Sequence, residues 1–247
     1  MERPLRPWYN PRRMLDFLGI GAQKAGTTWL WQNLLQHPEI RFPGGKELHF
    51  WDAYYERGLG WYEAVFANEG PAKCGEITPA YALLGLQRIE ALRALNPALR
   101  LLYCVREPQA RCWSAALMAL ARCDMRPEEA SDRWFIDHFL SQASRLRTDY
   151  LGTIQRWCSV FGTEALLVVR FDTLVSRPRD VLEACCRHIG VDPAFYTSAA
   201  YAPTGPVNAG PRPPLRPALQ QVLRELYGEH MRSLECYLQA GFGLRAI

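Results

Sequence analysis

Gly19-Ile20-Gly21-Ala22-Gln23-Lys24-Ala25-Gly26-Thr27-Thr28-Trp29-Leu30, or GIGAQKAGTTWL, closes the apolar run Met14–Gly21 and opens a helical pattern. A buried strand that turns tightly into a helix offers an anion several backbone N–H groups and the positive end of the helix dipole. The loop that holds nucleoside triphosphates reads G-x-x-x-x-G-K-[ST]. Here Gly21 and Gly26 keep the glycine spacing, Thr27 stands where that lysine would be, and Lys24 lies inside the loop. The pattern therefore predicts a phosphate-cradling turn and raises the question of which phosphate ligand it holds when the lysine after Gly26 is missing. Thr27 and Thr28 add hydroxyl donors, and Lys24 adds a point charge.

Working outward, Arg100–Glu107 (RLLYCVRE) and Glu164–Leu174 (EALLVVRFDTL) read as further buried strands, and Ala72–Thr78 as a shorter one. Helical periodicity covers Leu86–Leu95, Gln109–Ala121, Trp134–Ser144, Tyr150–Phe161, Pro178–Ile189 and Pro217–Leu238. Strands alternating with helices predict an α/β fold of P-loop-like, three-layer type, with a central, mostly parallel sheet flanked by helices. The proline- and glycine-rich stretch 201–217 has only one helix beyond it, so it reads as a loop. The expectation is one domain over residues 1–247.

Composition narrows the function. A net charge of +4 with dispersed arginines gives no nucleic-acid stripe. The start of the chain has no apolar leader core, and no apolar run approaches the ~20 residues of a membrane span. The eight cysteines form no C-x-x-C pair, so neither a metal site nor a redox pair is expected. They read as reduced thiols of a cytoplasmic protein. Oligomeric state is not legible.

The strand 100–107 runs into VREPQARCWSAALM, where Arg106, Arg111 and Ser114 surround the start of a helix. Arg106 leaves the carboxyl end of a sheet strand, where open α/β sheets bind ligands. Together, QKAGTTWL and VREPQARCWSAAL resemble the sulfotransferases that use 3′-phosphoadenosine-5′-phosphosulfate (PAPS). KELHFWDAYYERGLGWYEAVF and GEITPAY are similar to the carbohydrate (heparan-sulfate-type) branch and its bacterial relatives. The resemblance implies that Gln23, Lys24, Ala25, Gly26, Thr27, Thr28 and Trp29 hold the 5′-phosphosulfate, and that Arg106 and Ser114 hold the 3′-phosphate. It also implies that Gly210 and Arg212 close on the adenosine end. No metal is implied, and the product is adenosine 3′,5′-bisphosphate (PAP).

A hydroxyl attacking sulfur must lose its proton. Glu47 is the expected base on chemistry and on family position. His49 is the group that orients it, contacts the acceptor or replaces it, and Asp52 completes E-x-H-x-x-D. Glu76, in CGEITPAY, is another candidate for the base. Relatives often carry lysine after it where this chain has Ile77, which argues against a highly sulfated polysaccharide. Trp51, Tyr54, Tyr55, Trp61 and Tyr62 could wall the acceptor or pack the core. The expected acceptor is a small molecule or carbohydrate. Two rivals stay open: a P-loop small-molecule kinase, with Thr28 and Asp172 as metal-side groups, and a non-catalytic nucleotide-binding protein of the same fold.

Overall fold

The computed structural model describes residues 15–67, 70–205, 213–240 and 243–247. Strand β1 (Phe17–Gly21) leads through the glycine loop into α1 (Thr27–Leu34) and then a short β2 (Ile40–Arg41). Helix α2 (Leu59–Phe66) precedes β3 (Lys73–Ile77), and α3 (Leu86–Leu95) precedes β4 (Arg100–Val105). Helices α4 (Pro108–Arg122), α5 (Asp132–Leu140), α6 (Gln142–Thr148) and α7 (Tyr150–Phe161) separate β4 from β5 (Leu166–Arg170). Helices α8 (Phe171–Ser176), α9 (Pro178–Ile189) and α10 (Pro217–Gln239) follow, and β6 (Arg245–Ala246) completes the sheet.

The strand order is β2-β3-β1-β4-β5-β6, and every ladder among the described residues is parallel. This is the P-loop-like α/β fold, with helices over a sheet whose central strands β1 and β4 are apolar and buried from Leu101 onward and throughout β1. Successive connections leave β1 toward β3 on one side and return to β4 on the other. The carboxyl ends of β1, β3 and β4 thus meet at the switch point, where such sheets bind ligands.

Helix α4 divides its faces by period. Cys112, Trp113, Ala116 and Leu120 pack with Phe135 and Phe139 of α5 and Leu219, Leu223 and Tyr227 of α10. Residues 114, 118 and 122 point the other way. Pro108 opens this helix, and the Glu107 carboxylate accepts the Ala110 N–H at 2.9 Å.

Two expected elements differ. The run 164–174 is a strand only to Arg170, because Phe171 turns inward to cover Gly26 and the Arg106 guanidinium, beginning α8. The run 134–144 divides at Ser141, whose hydroxyl caps α6 by accepting the Ser144 N–H at 3.2 Å.

Candidate active site

Gly26 has φ 91°, and a Cβ there would meet Phe171 and Leu174 at 3.2 Å, so the turn into α1 needs glycine. The preceding Lys24 is also left-handed, at φ 68°. Lys24 is not isolated: its backbone carbonyl accepts a hydrogen bond from Arg106 Nη1 at 3.1 Å. The Arg106 guanidinium lies 4.3 Å from the Phe171 ring centroid, and its carbonyl accepts the Tyr150 hydroxyl at 2.8 Å. The loop after β1 and the end of β4 are therefore fixed to one another.

Both open on a cavity of about 940 Å³. Gln23, Lys24, Gly26, Thr27, Thr28 and Trp29 line it, with Arg106 and Ser114. Ala25 is fully buried and does not line it. Gly210 and Arg212 lie outside the described residues. Just before them, Asn33 of α1 anchors the segment 201–205. Its Nδ2 donates to Thr204 Oγ1 at 2.5 Å, and its Oδ1 accepts the Tyr201 hydroxyl at 2.6 Å. The Trp29 indole donates to the Thr204 carbonyl at 3.1 Å.

Glu47, His49 and Asp52 line the same cavity. The segment turns at His49 instead of running extended. His49 has φ 55°, and its carbonyl accepts from the N–H groups of Ala53 and Tyr54. That turn brings His49 between two carboxylates, with Nδ1 3.0 Å from Asp52 Oδ2 and Nε2 3.4 Å from Glu47 Oε2. Lys46 pairs with Glu47 Oε1.

Beneath this segment lies an aromatic layer. Phe50 stacks on Tyr62 at 4.6 Å, and the Tyr81 hydroxyl accepts the Trp51 N–H at 3.3 Å. Trp51 and Tyr62 are core, and none of the five aromatics weighed as an acceptor wall lines the cavity. Glu76 is also sealed off. Burial above all pushes its carboxyl up to about 8, and Tyr62 donates to its Oε1 at 3.3 Å. Arg111 is fully buried, binding Ser144 and Thr148 of α6 rather than surface acids. Asp172 sits in the first turn of α8 instead of at a strand end.

Sequence reasoning missed three residues of the far wall, Met118, Arg122 and Arg147. The first two follow Ser114 at helical spacing, so projecting the motif along α4 would have found them.

The fold and cavity set a glycine loop, Arg106 and Ser114 at the switch point of a parallel sheet, with a carboxylate–imidazole pair lining the same cavity. The sulfotransferase-domain family matches residues 15–240, and the chain belongs to it. Human heparan sulfate glucosamine 3-O-sulfotransferase 6 is 29% identical over 179 residues, covering 71% of this chain and 52% of that protein. The Dictyostelium discoideum membrane-associated sulfotransferase kil1 is 37% identical over 70 residues, 27% of this chain and 15% of that protein. The chain spans about half the length of the heparan sulfate enzymes it matches. The Alicyclobacillus acidocaldarius sulfotransferase shares the fold with a TM-score of 0.69 at 22% identity, covering 91% of this chain and 96% of that one. A mouse sulfotransferase complexed with PAP does so at 0.55 and 15%, covering 93% and 90%.

Proposed function

We propose that the protein transfers a sulfuryl group from PAPS to an acceptor hydroxyl, on a small molecule or a carbohydrate. The observation that carries this reading is the hydrogen bond from Arg106 to the Lys24 carbonyl, which joins two separate phosphate-binding motifs at one cavity. A ligand with phosphates at both ends of a nucleoside uses both motifs. Thr27, Thr28 and the α1 N-terminus take the 5′ end, and Arg106 with Ser114 takes the 3′-phosphate.

PAPS supplies an activated sulfuryl group, whose bond to the phosphate oxygen breaks as the acceptor oxygen–sulfur bond forms in line. Glu47 accepts the acceptor proton, and His49, held by Asp52, orients that carboxylate. Lys24 steadies the negative charge growing on the departing phosphate oxygen.

Calorimetric titration with PAP and with ATP–magnesium tests the donor. Micromolar PAP binding with far weaker ATP binding is expected. The opposite preference would overturn the proposal in favour of a kinase.

A further inference from the structure

We infer that Arg122 and Arg147 form an oxyanion subsite for the acceptor, so that the molecule receiving the sulfuryl group carries one carboxylate, sulfate or phosphate joined to its hydroxyl by an apolar span. The inference rests on the sulfotransfer reading and deepens it.

Helix α4 supplies the geometry. Ser114, Met118 and Arg122 recur every four residues and all line the cavity. At 1.5 Å per residue, Arg122 stands about 12 Å along the axis from Ser114, well beyond the phosphate grip. Arg147 of α6 lines the same cavity and lies within electrostatic reach of Asp52, the residue that holds His49. The arginine end is thus the side of the proposed base.

Charge accounting then asks for an anion. Among the described residues, neither guanidinium forms an ion pair with an acid. Arg147 Nη1 donates to the Ala143 carbonyl at 3.1 Å, while its Nε is buried without an acceptor. Burial first, then Arg111 and Arg122, lower the Arg147 pKa from its ordinary value. Arginine nonetheless stays charged at neutral pH. Like charges gathered at a half-buried site with an unfilled donor disfavour the free protein, and a bound oxyanion relieves them.

Of the remaining lining, Arg179 at the start of α9 belongs with Leu174, Val175 and Pro178 on the side of Gly26, so that the acceptor side holds the Arg122–Arg147 pair. Met118, Pro79 and Ala80 add no charge. Lys46 is taken by Glu47, and β3 presents the fully buried Ile77 after Glu76. A densely sulfated chain would find a single docking point here.

The test uses PAP-saturated protein at neutral pH, so that phosphate sites of the donor are filled. The probes are 4-hydroxybenzoate, 4-hydroxyphenylacetate and 3-(4-hydroxyphenyl)propionate, each beside its methyl ester, followed by ligand-observed NMR. At least one acid should bind roughly tenfold better than its ester, as expected for a charge-assisted contact. The preference should fall to within about twofold in R122Q/R147Q, while PAP affinity changes by less than about twofold. R122Q alone alters an exposed side chain, and it should remove part of the preference if the double variant folds poorly. The double variant should melt no lower than the wild type, because it deletes a repulsion. Equal binding of acids and esters, or no acid binding at millimolar concentration, overturns the inference, as does a preference that survives in R122Q/R147Q. A matching loss of PAP affinity also overturns it, by assigning the arginines to the donor. Failure of the wild type to bind PAP is a separate readout and overturns the sulfotransfer reading itself.

Discussion

Glu47 and Glu76 stand 29 residues apart in sequence and differ in every physical respect that decides a carboxylate's use. Glu47 borders the cavity between Lys46 and His49, whereas Glu76 is sealed between β3 and the tyrosines. Glu47→Gln should lower kcat by roughly 100-fold or more, the usual contribution of a general base, with PAP affinity unchanged. Turnover assays beside PAP titrations check this, and unaltered kcat would remove Glu47 from the role. Arg106→Ala should weaken PAP by about 1.5–3 kcal/mol, the range for a charge-assisted hydrogen bond, and leave AMP nearly unaffected. An equal loss for AMP would refute the 3′-phosphate assignment. Glu76 has its effect on stability. Its folded pKa of about 8 lies above the ordinary 4.5, so the folded state holds a proton that the unfolded chain releases. Stability from this group is complete below pH ~4.5, declines as pH rises toward 8, and is exhausted above that. Glu76→Gln should flatten that decline in denaturant titrations at pH 5 and pH 8.5. A wild-type stability that does not fall over this interval would contradict it.

At the scale of elements, proline, serine and glycine marked boundaries well. Helices α3, α7 and α9 begin and end where the periodicity and their flanking residues indicated. The failures have local causes. Helix α2 escaped notice because its aromatic residues mask any helical period, and tertiary contacts with Phe50 select its conformation. Strand β5 yields to α8 because Phe171 is drawn over Gly26, a contact that no local pattern encodes. Asn33 was invisible for the same reason, since its partners lie about 170 residues away. It ties α1, the helix that follows the glycine loop, to segment 201–205. Asn33→Ala should therefore raise the KM for PAPS about tenfold with kcat little changed, reflecting loss of one or two buried hydrogen bonds. Equal falls in kcat and kcat/KM would show that the tie serves another step.

For the molecule as a whole, the side of the cavity lined by the glycine loop, Arg106 and Ser114 was legible and the far wall was not. The first side draws on contiguous loop residues and one helix start, so its pattern survives in a linear string. The far wall gathers Arg147 from α6, Met118 and Arg122 from α4, and Pro79 from the turn after β3. Only the fold brings these together. The sheet order accounts for the division, because it sets the ends of β1 and β4 side by side while leaving the opposite wall to helices. Those helices can diverge without disturbing the sheet. The row 114–118–122 on α4 makes the consequence concrete in evolutionary terms. Each side chain along it stands about 6 Å from the next, so under the proposed role of Arg122 moving that arginine by a single turn would change the accepted length of substrate by that step. On that reading, one substitution on a rigid helix would admit a new acceptor while the glycine loop and Arg106 stay as they are.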